Sequence, residues 1–152
     1  MTETPKNAAA AIEVRKTYGR GESAVTALDG VSITFPRGQF TAVMGPSGSG
    51  KSTLMQCLAG LDTVTSGRVL IDDTEITRLR DRALTKVRRD RIGFVFQAYN
   101  LVPTLTAEQN ILLPQSLARR RVDKAWLGEV VHTLGLEGRL KHRPSELSGG
   151  QQ

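Results

Sequence analysis

The order of apolar and polar positions along the chain divides it into short segments of contrasting period. Ile12 to Tyr18 alternates and predicts a half-buried strand. Ala24–Leu28 and Val31–Phe35 flank Asp29-Gly30, a pairing that predicts a hairpin. Phe40–Met44 is a short, nearly unbroken apolar run that predicts a strand covered on both faces, and it leads straight into a glycine-rich segment. Lys51–Ala59 reads as a helix stopped by Gly60. Arg68–Ile71 predicts a strand, Asp81–Arg89 a basic helix, and Ile92–Phe96 a second fully buried strand ending at Gln97.

Beyond Gln97 the period becomes helical. Thr106 and Gln109 have capping-box spacing, and Pro114 is expected to end the helix they start. Asp123 is placed to cap a further helix. On it Trp126, Leu127, Val130, Val131 and Leu134 share a face, with Trp126 as a core anchor and Gly135 as the stop. Residues 1–11, alanine-rich and without an apolar signal core, read as a loose tail. The resulting organisation is a tail at 1–11, a mixed β and glycine-loop region at 12–97, and a helical region at 98–152.

Totals narrow the picture. The 152 residues fit one domain by length, and the apolar share of 39% is enough for a core. No apolar run approaches the ~18 residues that a membrane helix needs. A cytosolic setting is therefore expected, with any membrane role falling to a separate partner. The single Cys57 permits no internal disulfide. The net charge of +6 is partly local: seven basic residues from Arg78 to Arg91 stand against Asp81 and Asp90. Such a patch suits nucleic acid or anionic lipid, but a solvated helix face is the favoured reading, as it is for Arg119–Arg121.

The segment GPSGSGKST, from Gly45 to Thr53, carries the chemistry. Gly45, Gly50, Lys51 and Ser52 match G-x-x-x-x-G-K-[ST] between a strand and a helix. Glycines at 45, 48 and 50 free the backbone to turn N–H groups inward around an anion. The helix beginning near Lys51 adds its positive end. Lys51 would place a full charge on the terminal phosphates of a nucleoside triphosphate, and Ser52, with Thr53 beside it, would offer a hydroxyl to Mg²⁺. His132 and His142 lack partners at metal-ligand spacing.

The chain closes on a second glycine motif, LSGGQQ, from Leu147 to Gln152. With both motifs in this order, with Tyr18 ahead of the loop and Gln97 behind its strand, residues 12–152 resemble the nucleotide-binding subunit of an ATP-binding cassette (ABC) transporter. GLDTVTSG from Gly60, FVFQAYNLVPTLTAEQN from Phe94 and HRPSELSGGQQ from His142 narrow the resemblance to the exporter group of macrolide-efflux and lipoprotein-release ATPases.

The resemblance implies an α/β fold: a P-loop NTPase core, an antiparallel β subdomain and a helical subdomain, with the parallel sheet incomplete. It implies ATP and Mg²⁺ as cofactors. Tyr18 would stack on adenine. Gly45, Pro46, Ser47, Gly48, Ser49, Gly50, Lys51, Ser52 and Thr53 would cradle phosphate, and Ser52 and Gln97 would reach Mg²⁺. Ser148, Gly149 and Gly150 would contact the γ-phosphate held by a second, identical subunit. A transmembrane permease is the other implied partner, which places the protein at the cytoplasmic face of the membrane.

The family's metal-supporting aspartate, water-polarising glutamate and later histidine would lie past Gln152, and no carboxylate downstream of Gln97 ends an apolar strand. The chain therefore reads as a truncated gene product, a split reading frame or a partial chain. In it the signature would lack a helix to align its N–H groups. The runs Phe40–Met44 and Ile92–Phe96 would lack ladder neighbours, making the chain unstable or aggregation-prone. ATP-driven export competes with an ATP-binding role without hydrolysis. DNA maintenance is the remote alternative, disfavoured because only about fifty residues separate Gln97 from Leu147, too few for the long insertion of those relatives.

Overall fold

The computed structural model describes residues 7–152, in two compact units, the first ending at Ile92 and the second spanning Gly93–Gln152. In the first unit β1 (Asn7–Tyr18) pairs antiparallel with β2 (Val25–Pro36) on one side and with β3 (Ser66–Ile71) on the other, and β3 carries the short β4 (Thr74–Glu75). The sheet order is β2-β1-β3-β4. Helix α1 (Lys51–Leu58) lies between β2 and β3 in the chain, and α2 (Asp81–Arg91) follows β4. Leu54, Cys57 and Leu58 of α1 are buried with Ala11, Val14, Leu28, Val69 and Ile71 of the sheet, so one helix covers one sheet face. Leu84 and Val87 of α2 pack at the edge of this core. Burial pushes the Cys57 thiol pKa up.

Strand β1 begins five residues before the expected start. Residues 7–11 are therefore strand rather than tail, with Ala10 and Ala11 buried; residues 1–6 of the expected tail lie outside the described residues. Asp29-Gly30 does not make a hairpin. β2 runs through it, because both halves pair with β1: Val14 faces Val31 and Lys16 faces Leu28. Two residues of β2 thus oppose one of β1, a bulge in which Gly30 takes φ +67°. The chain reverses earlier, through Gly19 and a 3-10 turn at Gly21–Ser23.

A second bulge lies in β1 at Glu13, whose φ is +50°. The Glu13 N–H donates to Ser32 Oγ at 2.9 Å, and that hydroxyl donates back to Glu13 Oε1 at 2.9 Å. Opposite it, Gly67 sits at φ +90°, where a Cβ would lie 2.3 Å from the Glu13 carbonyl oxygen.

Neither apolar run expected as a buried strand is one. Phe40 is 99% and Met44 87% exposed, and Val95 is 96% exposed. A strand covered on both faces needs ladder partners and two covering layers, and among the described residues no strand pairs with either run. Phe94 and Phe96 instead pack on each other, ring centroids 4.6 Å apart.

The second unit holds α3 (Ala107–Leu117) and α4 (Lys124–Thr133). The capping box forms as expected: Thr106 Oγ1 accepts from the Gln109 N–H, and Gln109 Oε1 from the Thr106 N–H. Pro114 does not end α3. It forgoes one backbone donor, but its fixed φ is helical, and the helix closes at Ala118, whose N–H reaches the Pro114 carbonyl at 3.0 Å. The Asp123 carboxylate accepts from Ala125 and Trp126, as expected of a cap. The apolar stripe of α4 buries Val131, whereas Trp126 is 60% exposed and no core anchor. It sits in the first turn, at the margin of a stripe centred on Val131.

Two glycine substitutions test the backbone argument by chemical melting. Gly67→Ala should cost more than about 1 kcal/mol, because it drives a Cβ into the Glu13 carbonyl at positive φ. Gly128→Ala, in α4 with open space around it, should stabilise its helix by roughly 0.5–1 kcal/mol.

Candidate nucleotide site

The glycine segment forms a loop against the edge of the sheet. Gly45, Gly48 and Gly50 all take positive φ, at +152°, +79° and +84°. Gly50 is the N-cap of α1 and offers no side-chain cap. The first intrahelical donor is Leu54, whose N–H reaches the Gly50 carbonyl at 2.8 Å, so the N–H groups of Lys51, Ser52 and Thr53 have no intrahelical acceptor. A shallow cavity of about 230 Å³ opens there, lined by Ala27, Ser47, Gly48, Gly50, Lys51, Ser52 and Thr53.

At Gly50 space as well as φ demands glycine. A Cβ on Gly50 would lie 2.4 Å from the Ala27 carbonyl oxygen, and one on Gly45 would lie 2.9 Å from Ser49 Oγ. Lys51 folds back over the loop, its Nζ donating to the Pro46 carbonyl at 2.6 Å and to Ser49 Oγ at 3.4 Å. A concave backbone of unpaired N–H groups with a lysine held across it is an anion receptor, and these residues fit a phosphate chain.

Tyr18 is the last residue of β1, opposite Val25. Its ring is 40% exposed and its hydroxyl donates to Asp62 Oδ2 at 2.7 Å. The other oxygen of Asp62 accepts from Lys16 Nζ at 2.7 Å and from the Thr63 N–H at 2.7 Å. Lys16 is only 8% exposed, and its ammonium also reaches the Thr63 carbonyl. It lies 4.7 Å from the centroid of the Tyr18 ring. The Lys16 hydrogen bond holds the Asp62 carboxyl below its usual range, helped by those from Tyr18 and Thr63 and opposed by partial burial. The bond to Asp62 pushes the Tyr18 phenol up, and the nearby Thr53 hydroxyl of the glycine loop pulls the other way.

Lys16 and Asp62 were not singled out by sequence reasoning. A lysine in an alternating strand reads as solvent-facing, and nothing local pairs it with a residue 46 positions away.

The remaining expected site residues lie in the second unit. Gln97 is exposed in a loop. Ser148, Gly149 and Gly150 are exposed after the buried Leu147. A hydrogen-bonded turn forms there, without a helix following it. The Ser148 carbonyl accepts from Gln151 and Gln152 at 2.9 and 3.1 Å, and Gln151 Oε1 accepts from the Ser148 N–H at 3.1 Å. Gln152 Nε2 donates to the carbonyls of Pro144 and Leu147, which ties the turn to the segment before it. A Cβ on Gly149 would lie 3.2 Å from the Tyr99 hydroxyl.

No group of three or more His, Cys, Asp or Glu is arranged to hold a metal among the described residues, and His132 is paired with Glu137. The basic side chains of Arg82, Lys86 and Arg89 on α2 are exposed, while Arg88 donates to the Gly60 carbonyl. No described helix is long and apolar enough to cross a membrane.

A family profile described as ABC transporter matches residues 28–152. An uncharacterized ABC transporter ATP-binding protein of Thermotoga maritima is 48% identical over 93% of this chain and 61% of its own length. The macrolide export ATP-binding/permease protein MacB of Brucella abortus is 46% identical over 92% of this chain and 22% of its own. The lipoprotein-releasing system ATP-binding protein LolD of Nitrobacter hamburgensis is 42% identical over 92% and 61%. Among solved structures, the ATP-binding cassette MJ0796 as a post-hydrolysis dimer bound to ADP and Pi superposes with a TM-score of 0.83 at 41% identity, over 94% of this chain and 64% of that one. The chain thus spans less than two thirds of the length of these relatives.

The Asp62 cluster carries a pH signature. Because its folded pKa is depressed, Asp62 contributes stability that is present above the unfolded value of about 4 and lost as pH falls through the folded value. Asp62→Asn should cost about 1–3 kcal/mol at neutral pH. The gap to the unsubstituted protein should narrow in urea melts below about pH 4; a gap independent of pH would refute the ion pair.

Proposed function

The chain belongs to the ABC transporter family, and from that premise we propose that it is the nucleotide-binding part of an ATP-driven transport ATPase. The observation that carries this reading is the loop at Gly45–Thr53, a receptor with three positive-φ glycines, an uncapped helix start and Lys51 across its mouth. Its backbone N–H groups would hold the triphosphate, and Lys51 would exchange the Pro46 carbonyl for phosphate oxygen. Pro46, Ser47 and Ser49 shape the loop, and Ser52 would ligate Mg²⁺. The metal would neutralise phosphate charge. The Tyr18 ring would stack on the base.

Ser148, Gly149 and Gly150 would form a second anion site at the turn that opens on Ser148, closing on a nucleotide held by another copy of the chain. MJ0796 was solved as a dimer, which supports pairing of two such subunits. MacB is by name both ATP-binding protein and permease, which supports a membrane partner and a place at the cytoplasmic face of the membrane. Export is the direction favoured by the macrolide and lipoprotein relatives.

Binding of ATP without turnover is a second reading for these 152 residues, favoured by one observation: no carboxylate lines the phosphate cavity. Both readings require the loop to grip ATP. Titration calorimetry should show ATP·Mg²⁺ binding that Lys51→Ala weakens at least about tenfold, the scale of a lost charge-assisted contact. Equal affinity in the two proteins would remove the loop, and the transport reading, from consideration. Phosphate release by the purified chain would reject the binding-only version.

A further inference from the structure

The cluster around Asp62 does more than neutralise a buried lysine. One carboxylate takes the Lys16 ammonium on Oδ1 and the Tyr18 hydroxyl on Oδ2, both at 2.7 Å. Lys16 and Tyr18 are two apart on β1 and so project to the same side of the strand. The ammonium stands 4.7 Å from the ring centroid, so one aromatic face is already committed to a cation. An aromatic side chain has two torsions. Here the hydroxyl at its tip and the cation over its face restrain both, leaving a 40% exposed ring with a single approach.

The same ring is tied to the phosphate loop. The Thr53 hydroxyl, the last side chain of the glycine motif, lies close enough to bear on the ionisation of its phenol. The strand partner of Tyr18 is Val25, two residues before the Ala27 that lines the phosphate cavity. Lys16, Asp62 and Tyr18 therefore form one connected set of polar contacts that ends beside the loop.

We propose that Asp62 is a positioning residue of the nucleotide site: it locks the Tyr18 ring in one orientation, at a set place relative to Gly45–Thr53, so that the ring is preorganised to stack on the base of a nucleotide whose phosphates occupy the loop. The proposal rests on the nucleotide reading and adds to it a division of labour. Asp62 governs recognition of the base and Lys51 governs recognition of the phosphates. Preorganisation of this kind raises affinity by lowering the ordering cost at the moment of binding.

Two ligands separate that role from a purely structural one: ATP and inorganic tripolyphosphate, each with Mg²⁺, titrated calorimetrically into the unsubstituted chain and its variants. Asp62→Asn removes the anchor and weakens the ion pair. Tyr18→Phe removes only the hydroxyl and leaves Lys16 with its partner, so it stays informative if Asp62→Asn does not fold. Each variant should weaken ATP roughly five- to tenfold, the low end of one base–aromatic stack, and leave tripolyphosphate within about twofold. Lys51→Ala should weaken both ligands. An unchanged ratio of the two affinities in Tyr18→Phe overturns the proposal, as does a parallel loss of both ligands in the Asp62 and Tyr18 variants. In either case the Lys51→Ala result leaves the nucleotide reading standing. Failure of the unsubstituted chain to bind either ligand overturns that reading and the anchor with it.

Discussion

A lysine ammonium taken out of water must find an anion and further acceptors, or the fold around it becomes unfavourable. Lys16, in the central strand of the sheet, meets that demand with Asp62 and the Thr63 carbonyl. Both acceptors lie in the connection between α1 and β3, so the pair joins the middle of the sheet to the chain that leaves the phosphate-loop helix. Packing alone brings α1 onto the sheet through Leu54, Cys57 and Leu58. Packing is tolerant of small slides, whereas a charged hydrogen bond at 2.7 Å is not. The pair therefore sets where α1 begins relative to β1, and with it the separation of Tyr18 from Lys51.

Close backbone approach is the other constraint, and it falls on glycines for reasons of space. Gly50 has to accept the Ala27 carbonyl where a side chain would begin, and Gly67 has to accept that of Glu13. The first contact seats the phosphate loop against β2, and the second lets β3 follow the bulge in β1. The loop cavity thus borrows its shape from the sheet: β2 supplies Ala27 to its wall, and β1 ends on Tyr18, the proposed platform for a base. The loop contributes the N–H groups and the charge.

The features legible in the sequence were those set by neighbours in the chain. The capping box of Thr106 and Gln109, the Asp123 cap, the limits of α1 and the glycine loop all depend on residues within a few positions of one another. Asp29-Gly30 shows the limit of such signals, since positive φ at a glycine serves a hairpin and a bulge equally well; pairing with β1 decided between them. Phe40–Met44 and Ile92–Phe96 have the composition of buried strands, but a strand is completed by partners, and none of the described strands pairs with them. Of the stripe that the period assigns to α4, Trp126 and Leu134 stay exposed while Val131 is buried, so the helix covers less of it than its pattern predicts.

By itself the sequence determined the family, the α/β character of the fold, the glycine loop and the second glycine motif, because each is written in contiguous residues whose chemistry does not depend on distant parts of the chain. Only the tertiary structure decided that β1 is an inner strand, that Lys16 is buried, and that Asp62 joins it to Tyr18. These depend on residues 44 and 46 positions apart meeting through one carboxylate, and no local pattern encodes a contact whose energy comes from removing a charge from water.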